Sequence, residues 1–462
     1  MQSQPTFFVN ARGLEFFRQT LAANLDGQFD SSFWSKLVLQ LSHSEPSVRH
    51  AVSAVSHIYR DVESSLRHPE GYVSANPEAQ REWNKAIRSL SARIQARPNS
   101  NLVPLVCCLL FTCIDLLRGS VESSLLHVES GLNILAAARR NSHADYDLGS
   151  DTSKSDLQTI EDHVVPVFAG LSVLSSLAGR TTPPIYAPTA EEDSPHEDLA
   201  DSRRRLIEVS DACIRFIGAV SLKAATFQVD VDDLVDQVKL QTRLGAWRDQ
   251  LGRLVDRMQA RDKPVKQDAL SLLLVHYKVI YIWLRVCTTA GETATDFYLA
   301  DFDELVHYAE QIAKTRAGVE MARPQPLSFD IQILGPLYYA ALKCRHPATR
   351  RRALELLQFA PLREGLWNAH HAYLTAKRVI ELEERDLKGR ELPDESSRLH
   401  GLVLPDDMSR IDGQGEMPFD VRRFDHSIVP SPAYPGTLKA VFWTKPWGLS
   451  REWQSITEYI KI

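Results

Sequence analysis

Leu270, Leu273, Tyr277, Ile280, Leu284 and Cys287 recur at steps of three or four residues, the spacing of a helix with roughly 3.6 residues per turn. An apolar stripe of that length has to be covered by other helices, because one left in water would expose a whole face. Leu125, Val128, Leu132 and Leu135 repeat the pattern. Helical periodicity of this kind dominates the chain and predicts an all-α, multi-helix fold. Helices are expected at 11–25, 32–43, 46–64, 80–96, 101–118, 121–140, 155–178, 201–220, 235–260, 266–289, 301–315, 328–344, 347–360 and 364–386. Two starts carry local signals: Asp30-Ser31-Ser32 precedes Phe33-Trp34, and Ser44-Glu45-Pro46 precedes the run from Val48 to Tyr59, with proline suited to a first turn.

Three polar stretches break the pattern. Residues 141–155 are rich in Ser and Asp, and 181–202 combine Pro183, Pro184, Pro188 and Pro195 with Glu191-Glu192-Asp193, so both are expected to be loops. Residues 389–436 are polar and weakly periodic. Beyond them Leu438 to Thr444 is apolar and β-prone, Lys445-Pro446-Trp447-Gly448 reads as a turn, and Trp453 to Ile462 returns as a second strand or a short helix. The expected organisation is a helical body over 1–388, an irregular linker over 389–436, and a strand–turn appendage over 437–462 packing on the body. No repeat of 20–50 residues stands out.

Charge and targeting signals narrow the class. The 462 residues carry 53 Lys and Arg against 59 Asp and Glu, a formal charge of −6, whereas a protein that coats nucleic acid carries a basic excess. The N-terminal stretch from Met1 to Asn10 lacks the basic and apolar regions of a signal peptide. Leu102 to Phe111 is too short to span a membrane, and Leu272 to Cys287 is interrupted by His276, Lys278 and Arg285. A soluble intracellular chain without membrane contact is expected. Cys107, Cys108, Cys113, Cys213, Cys287 and Cys344 include no C-x-x-C pair, and most sit among Leu, Ile and Val, which points to reduced, buried thiols rather than metal ligands.

Few motifs carry chemistry. Asp232-Asp233-Leu-Val-Asp236 matches D-D-x-x-D, the pattern with which helical prenyl-diphosphate enzymes hold magnesium through oxygen ligands. Its usual second metal helix is missing here, and a solvated loop or first helical turn accounts for the same residues. His43, His50 and His57 are spaced seven apart, too far for one ion, since metal-binding pairs favour i,i+4. They are expected to be partly buried and hydrogen-bonded. His370-His371 is expected in the middle of a helix, with one ring inward at most. The triplets Arg203–Arg205 and Arg350–Arg352 are shorter than the basic runs that act as import signals and are expected on solvated faces near acidic partners. No dinucleotide, Walker, nucleophile-elbow, zincin or EF-hand motif occurs. Catalytic, cofactor and metal-site residues are therefore all expected to be none.

Four stretches in order resemble a known family. They are Leu14-Glu-Phe-Phe-Arg18 with Leu25-Asp-Gly-Gln-Phe29, Phe33-Trp34 and His43-Ser-Glu-Pro-Ser-Val-Arg-His-Ala-Val52; then Trp83-Asn-Lys-Ala-Ile87; then Leu116-Leu-Arg-Gly-Ser120 leading into His127-Val-Glu-Ser-Gly-Leu-Asn-Ile-Leu135; and finally Arg350-Arg-Arg-Ala-Leu-Glu-Leu-Leu357, Arg363-Glu-Gly-Leu-Trp367 and Thr444-Lys-Pro-Trp-Gly448. The set resembles the regulatory, middle-homology region of fungal six-cysteine zinc-cluster transcription factors, over roughly residues 7–460. The resemblance implies an all-helical regulatory domain, a nuclear location, and control of metabolic or secondary-metabolite genes. The family's DNA-binding head needs two C-x2-C-x6-C halves near the N-terminus, whereas this chain has no cysteine before Cys107. The expectation is therefore a non-enzymatic regulator without direct DNA binding, working through protein partners in transcription, with homo- or heterodimerisation and a small-molecule effector both open. The alternatives are a magnesium-dependent prenyl-diphosphate enzyme built on Asp232, Asp233 and Asp236, and a helical scaffold outside transcription.

Overall fold

The computed structural model describes residues 12–29, 32–67, 76–97, 100–144, 151–178, 180, 182–186, 194–320, 325–385, 387, 389–403, 437–444 and 454–461. Asp30 and Ser31, residues 181 and 187–193 of the proline-rich stretch, residues 404–436 and the expected turn at 445–448 lie outside them. The described residues are mostly helical, with a small β component, as the periodicity predicts.

Helix α1 passes through a π-helical turn, Phe17–Leu21, into Ala22–Asp26, and α2 passes through Phe33–Leu37 into Val38–Ser44. Then follow α3 (Pro46–Arg67), α4 (Pro77–Ala96), α5 (Leu102–Arg118) and α6 (Val121–Ala144). Helix α7 joins Asp151–Thr159, a π turn Ile160–Val164 and Val165–Leu177. Next come α8 (Leu199–Ala225), α9 (Val231–Ala260), α10 (Gln267–Val286) and α11 (Leu299–Glu320). The remaining helices are α12 (Leu334–Lys343), α13 (Pro347–Leu356) and α14 (Ala369–Glu383). The polar stretch expected as a loop over 141–155 is helical up to Ala144 and again from Asp151.

The stripe on α10 is the centre of the fold. Leu272, Leu273, Val275, Ile282 and Leu284 are essentially inaccessible, and the helix touches α8, α9, α11 and α12. Helices α7 and α10 are long and apolar enough to cross a membrane, but more than half of each apolar window is buried inside the body, as expected of core helices. All six cysteines are buried and unpaired. Burial pushes the thiols of Cys107, Cys108, Cys213 and Cys287 up to about 12 and that of Cys344 up to about 11, so they behave as small hydrophobes.

Two helix starts fall later than the periodicity suggests, and both are displaced by strands. The expected helix at 328–344 begins only at Leu334, because β1 (Leu327–Ser328) pairs in parallel with β2 (Arg363–Glu364). The helix expected from 364 begins at Ala369, because β2 turns back antiparallel onto β3 (Trp367–Asn368). The turn contains Gly365 at φ +54°, where an added Cβ would lie 2.4 Å from Leu174. Buried Glu364 then caps α12: its carboxylate accepts N–H bonds from Gln332 at 2.7 Å and Leu334 at 3.1 Å.

Strand β4 (Leu399–Val403), inside the stretch expected to be irregular, extends the C-terminal hairpin of β5 (Thr437–Thr444) and β6 (Gln454–Lys461) into a three-stranded antiparallel sheet. Leu438, Ala440 and Phe442 are fully buried in the common core, and Arg378 of α14 donates to Glu458 of β6 at 2.7 Å. The chain entering β4 is anchored by a buried ionic cluster. Glu383 accepts from Arg350 at 2.8 Å and from Arg398, while its other oxygen accepts the Leu399 N–H at 3.1 Å. Arg398 also donates to the carbonyl of Leu342 at 3.0 Å, the open end of α12.

Removing the shared carboxylate takes the nearest anion from two buried guanidinium groups, which keep only the longer contacts to Glu384 and Glu292 as ion pairs. Glu383→Ala should cost about 3–5 kcal/mol, the range for breaking a buried pair from one side, seen as a lower urea midpoint. Arg390→Ala, at the exposed pair with Asp394, should leave the midpoint unchanged.

Candidate functional site

Where the neighbours of α10 diverge, they leave a cavity of about 110 Å³, partly open to solvent. Its walls come from the end of α7, the first turns of α8, the middle of α10, the start of α12, and β3. Most of the lining is aliphatic, with Trp283, Tyr339 and Trp367 adding aromatic faces. Glu364 sets one wall, because by capping α12 it fixes the segment that carries Ile331, Gly335 and Pro336.

Arg203, Asp330, Ser210, His276 and Tyr339 give the cavity its polarity. Arg203 of α8 is ion-paired with Asp330, and its guanidinium lies 4.9 Å from the ring centre of Phe29. His276 donates from Nε2 to the carbonyl of Gln332 at 2.8 Å. Burial holds the imidazole below its usual range, so it is neutral near pH 7 and its Nδ1 is an acceptor. Buried Tyr339 is held well above the ordinary phenol range by desolvation and stays protonated. The site offers recognition of shape and hydrogen bonding, with no group placed as an activated nucleophile.

The carboxylates singled out by the sequence lie elsewhere, on the outside. Asp230 and Asp233 form a reciprocal capping box at the start of α9. Lys223 donates to Asp233 at 2.8 Å and to Asp230 at 3.2 Å, Lys239 donates to Asp236 at 2.8 Å, and Asp232 is exposed. No group of three or more His, Cys, Asp or Glu among the described residues is gathered as a metal site. His50 donates from its ring to Glu82 at 2.6 Å, whereas the buried Nε2 of His57 has no hydrogen bond among the described residues. His370 and His371 lie in the first turn of α14 rather than its middle, where Asn368 accepts the N–H of His371 at 3.1 Å.

The arginine triplets divide. Arg204 and Arg205 pair with Asp201, and Arg352 with Glu310, as expected of surface faces. Arg203 is largely buried against the cavity and Arg350 wholly inside, because each found a buried carboxylate. The sequence left a small-molecule effector open without placing a pocket for it. Gly335-Pro336 inside an expected helix was the available signal: a Cβ on Gly335 would lie 3.3 Å from the Trp367 ring.

A family model described as the fungal specific transcription factor domain matches residues 14–254, more than half of the 462. The chain belongs to this family. The matched range runs from α1 through most of α9 and contributes the α7 and α8 walls of the cavity. A curated relative is the aspercryptin biosynthesis cluster-specific transcription regulator atnN of Emericella nidulans, 23% identical over 306 residues, covering 64% of this chain and 49% of the relative. The chain thus spans about half the length of that relative. No solved structure matches. Family and relative together indicate a role in transcription regulation, and a transcription-factor family points to the nucleus.

The family-like motifs serve packing. Glu82 is held between His50 and Lys85, and Trp83 packs on Phe111 at 4.7 Å between ring centres while Arg118 covers it. Gly119, at φ +80°, ends α5 in the left-handed conformation. Gly131 admits the ring of Phe168, whose Cζ is 2.3 Å from where a Cβ would stand.

The capping role of Asp230 is separable from metal binding. Asp230→Ala should lower the melting temperature, whereas Asp232→Asn should not. Added magnesium should leave the melting curves of the protein and both variants unchanged, as followed by circular dichroism.

Proposed function

We propose that this chain regulates transcription, in the nucleus, through a protein contact made by the outer face of α9. That helix has two apolar faces. Leu244, Trp247, Leu251 and Leu254 are buried against the body, whereas Val231, Leu234, Val235 and Val238 lie on the opposite side. Val231 is 73% exposed and Val238 59%. The exposed set follows the i, i+3, i+4, i+7 spacing of a docking face. Phe227, 77% exposed, precedes it with φ +58°, a conformation that non-glycine residues adopt rarely. The backbone there holds the ring outward.

The rim selects the partner. Asp230, Asp232, Asp233 and Asp236 stand beside the stripe against the two ammonium groups of Lys223 and Lys239, an excess of negative charge. The chemistry that fits is an amphipathic helix of another regulatory protein, with an apolar ridge flanked by Lys or Arg. Contact with the promoter is then supplied by that partner, so this reading asks neither DNA binding nor catalysis of the chain. The family membership is the observation that carries the regulatory role. Similarity to a cluster-specific regulator supports fungal secondary-metabolite genes as the targets.

A magnesium-dependent prenyl-transfer reading finds less support, since Asp233 is engaged as a cap and Asp236 in an ion pair. Fused to a foreign DNA-binding domain, the chain should change reporter output at least fivefold. The Leu234→Lys, Val238→Lys double variant should return the output to background while keeping its melting temperature. Wild-type output from that folded variant would rule out the α9 contact, and a silent, non-nuclear wild-type fusion would rule out the regulatory role.

A further inference from the structure

We infer that the cavity beside α10 binds a small, electrically neutral ring compound carrying one hydroxyl group. Size sets the first limit. At about 110 Å³ and open on one side, the space compares with the apolar cavity of roughly 150 Å³ that takes up benzene. Its aliphatic lining and the faces of Trp283, Tyr339 and Trp367 suit a flat or compact ring.

Charge sets the second limit. Among the described residues, the full charges lining the cavity are Arg203 and Asp330, which are paired with each other. A carboxylate ligand would have to displace Asp330 from Arg203 or lie against an unpaired anion in an apolar surround, and a cationic ligand meets the converse problem. The neutral polar groups left in the lining include the hydroxyls of Ser210 and Tyr339 and the ring of His276. The Nε2–H of His276 is committed to the Gln332 carbonyl, which leaves Nδ1 as an acceptor with no partner among the described residues. An acceptor in an apolar wall favours a ligand that brings one donor, a hydroxyl, and disfavours its hydrocarbon analogue.

This inference is independent of the α9 contact, because none of the exposed α9 residues lines the cavity. The test is isothermal titration calorimetry on the purified chain with 4-methylphenol and with 4-methylbenzoate, an anion on the same ring. Saturable binding of 4-methylphenol, at least tenfold tighter than 4-methylbenzoate, is expected. Val279→Trp and Ile207→Trp fill the cavity from two different half-buried positions, and whichever keeps the wild-type far-ultraviolet spectrum should abolish binding. His276→Phe keeps a ring of similar size and should weaken 4-methylphenol about tenfold. The Leu234→Lys, Val238→Lys variant should bind as wild type. The inference is overturned if 4-methylphenol gives no saturable heat, if 4-methylbenzoate binds as tightly, or if a folded filling variant binds unchanged.

Discussion

The burial of α10 is the constraint on which the rest of the structure depends. A helix whose apolar residues extend beyond one narrow stripe has to be enclosed, and α8, α9, α11 and α12 enclose it. Helices crossing a common core at an angle contact it over a limited length and then diverge. The cavity is lined by α8, α10 and α12 together with the end of α7 and β3. It is thus a consequence of the same packing that makes the domain, and its lining is inherited from core faces rather than added on a loop.

Buried carboxylates hold the parts of the fold that helix packing cannot. Glu364 caps α12 from a two-residue strand, and Glu383 gathers Arg350, Arg398 and the entry to β4. Each ties together segments far apart in sequence, and each is satisfied by several donors, the condition under which a buried charge is tolerated. They act at the C-terminal third, where short strands interrupt the helices and backbone groups would otherwise be left unpaired.

Local pattern made the helices legible. The stripes at 125–135 and 270–287 specify both helix and buried face, and Pro46 marks the start of α3 as the sequence indicates. The strands β1, β2 and β3 were not legible, since a two-residue strand has no periodicity to read and exists only because distant segments pair. The same reason hid the buried role of Arg350. Within Arg350–Arg352 nothing local distinguishes the residue that meets Glu383 from the two at the surface. The cavity's place was illegible because five separate segments build it, and the exposed α9 face was missed because the helix was expected only from residue 235, whereas it begins at Val231 and carries Val231 and Leu234 on the same face as Val235 and Val238.

Helix α8 connects the two surfaces that matter most. Near its start Arg203 meets Asp330 at the cavity, and near its end Lys223 holds Asp230 and Asp233 at the head of the exposed α9 stripe. Twenty residues of helix separate the two, roughly 30 Å at 1.5 Å per residue. The helix is the covalent link between the cavity wall and the cap of α9. Any ligand that shifted α8 would act on the partner surface through its ion pairs with the α9 cap, and linkage requires the reciprocal effect: a partner that altered ligand affinity by some factor would itself be altered by the same factor. The sign of any such coupling is set by whether the two surfaces favour the same position of α8.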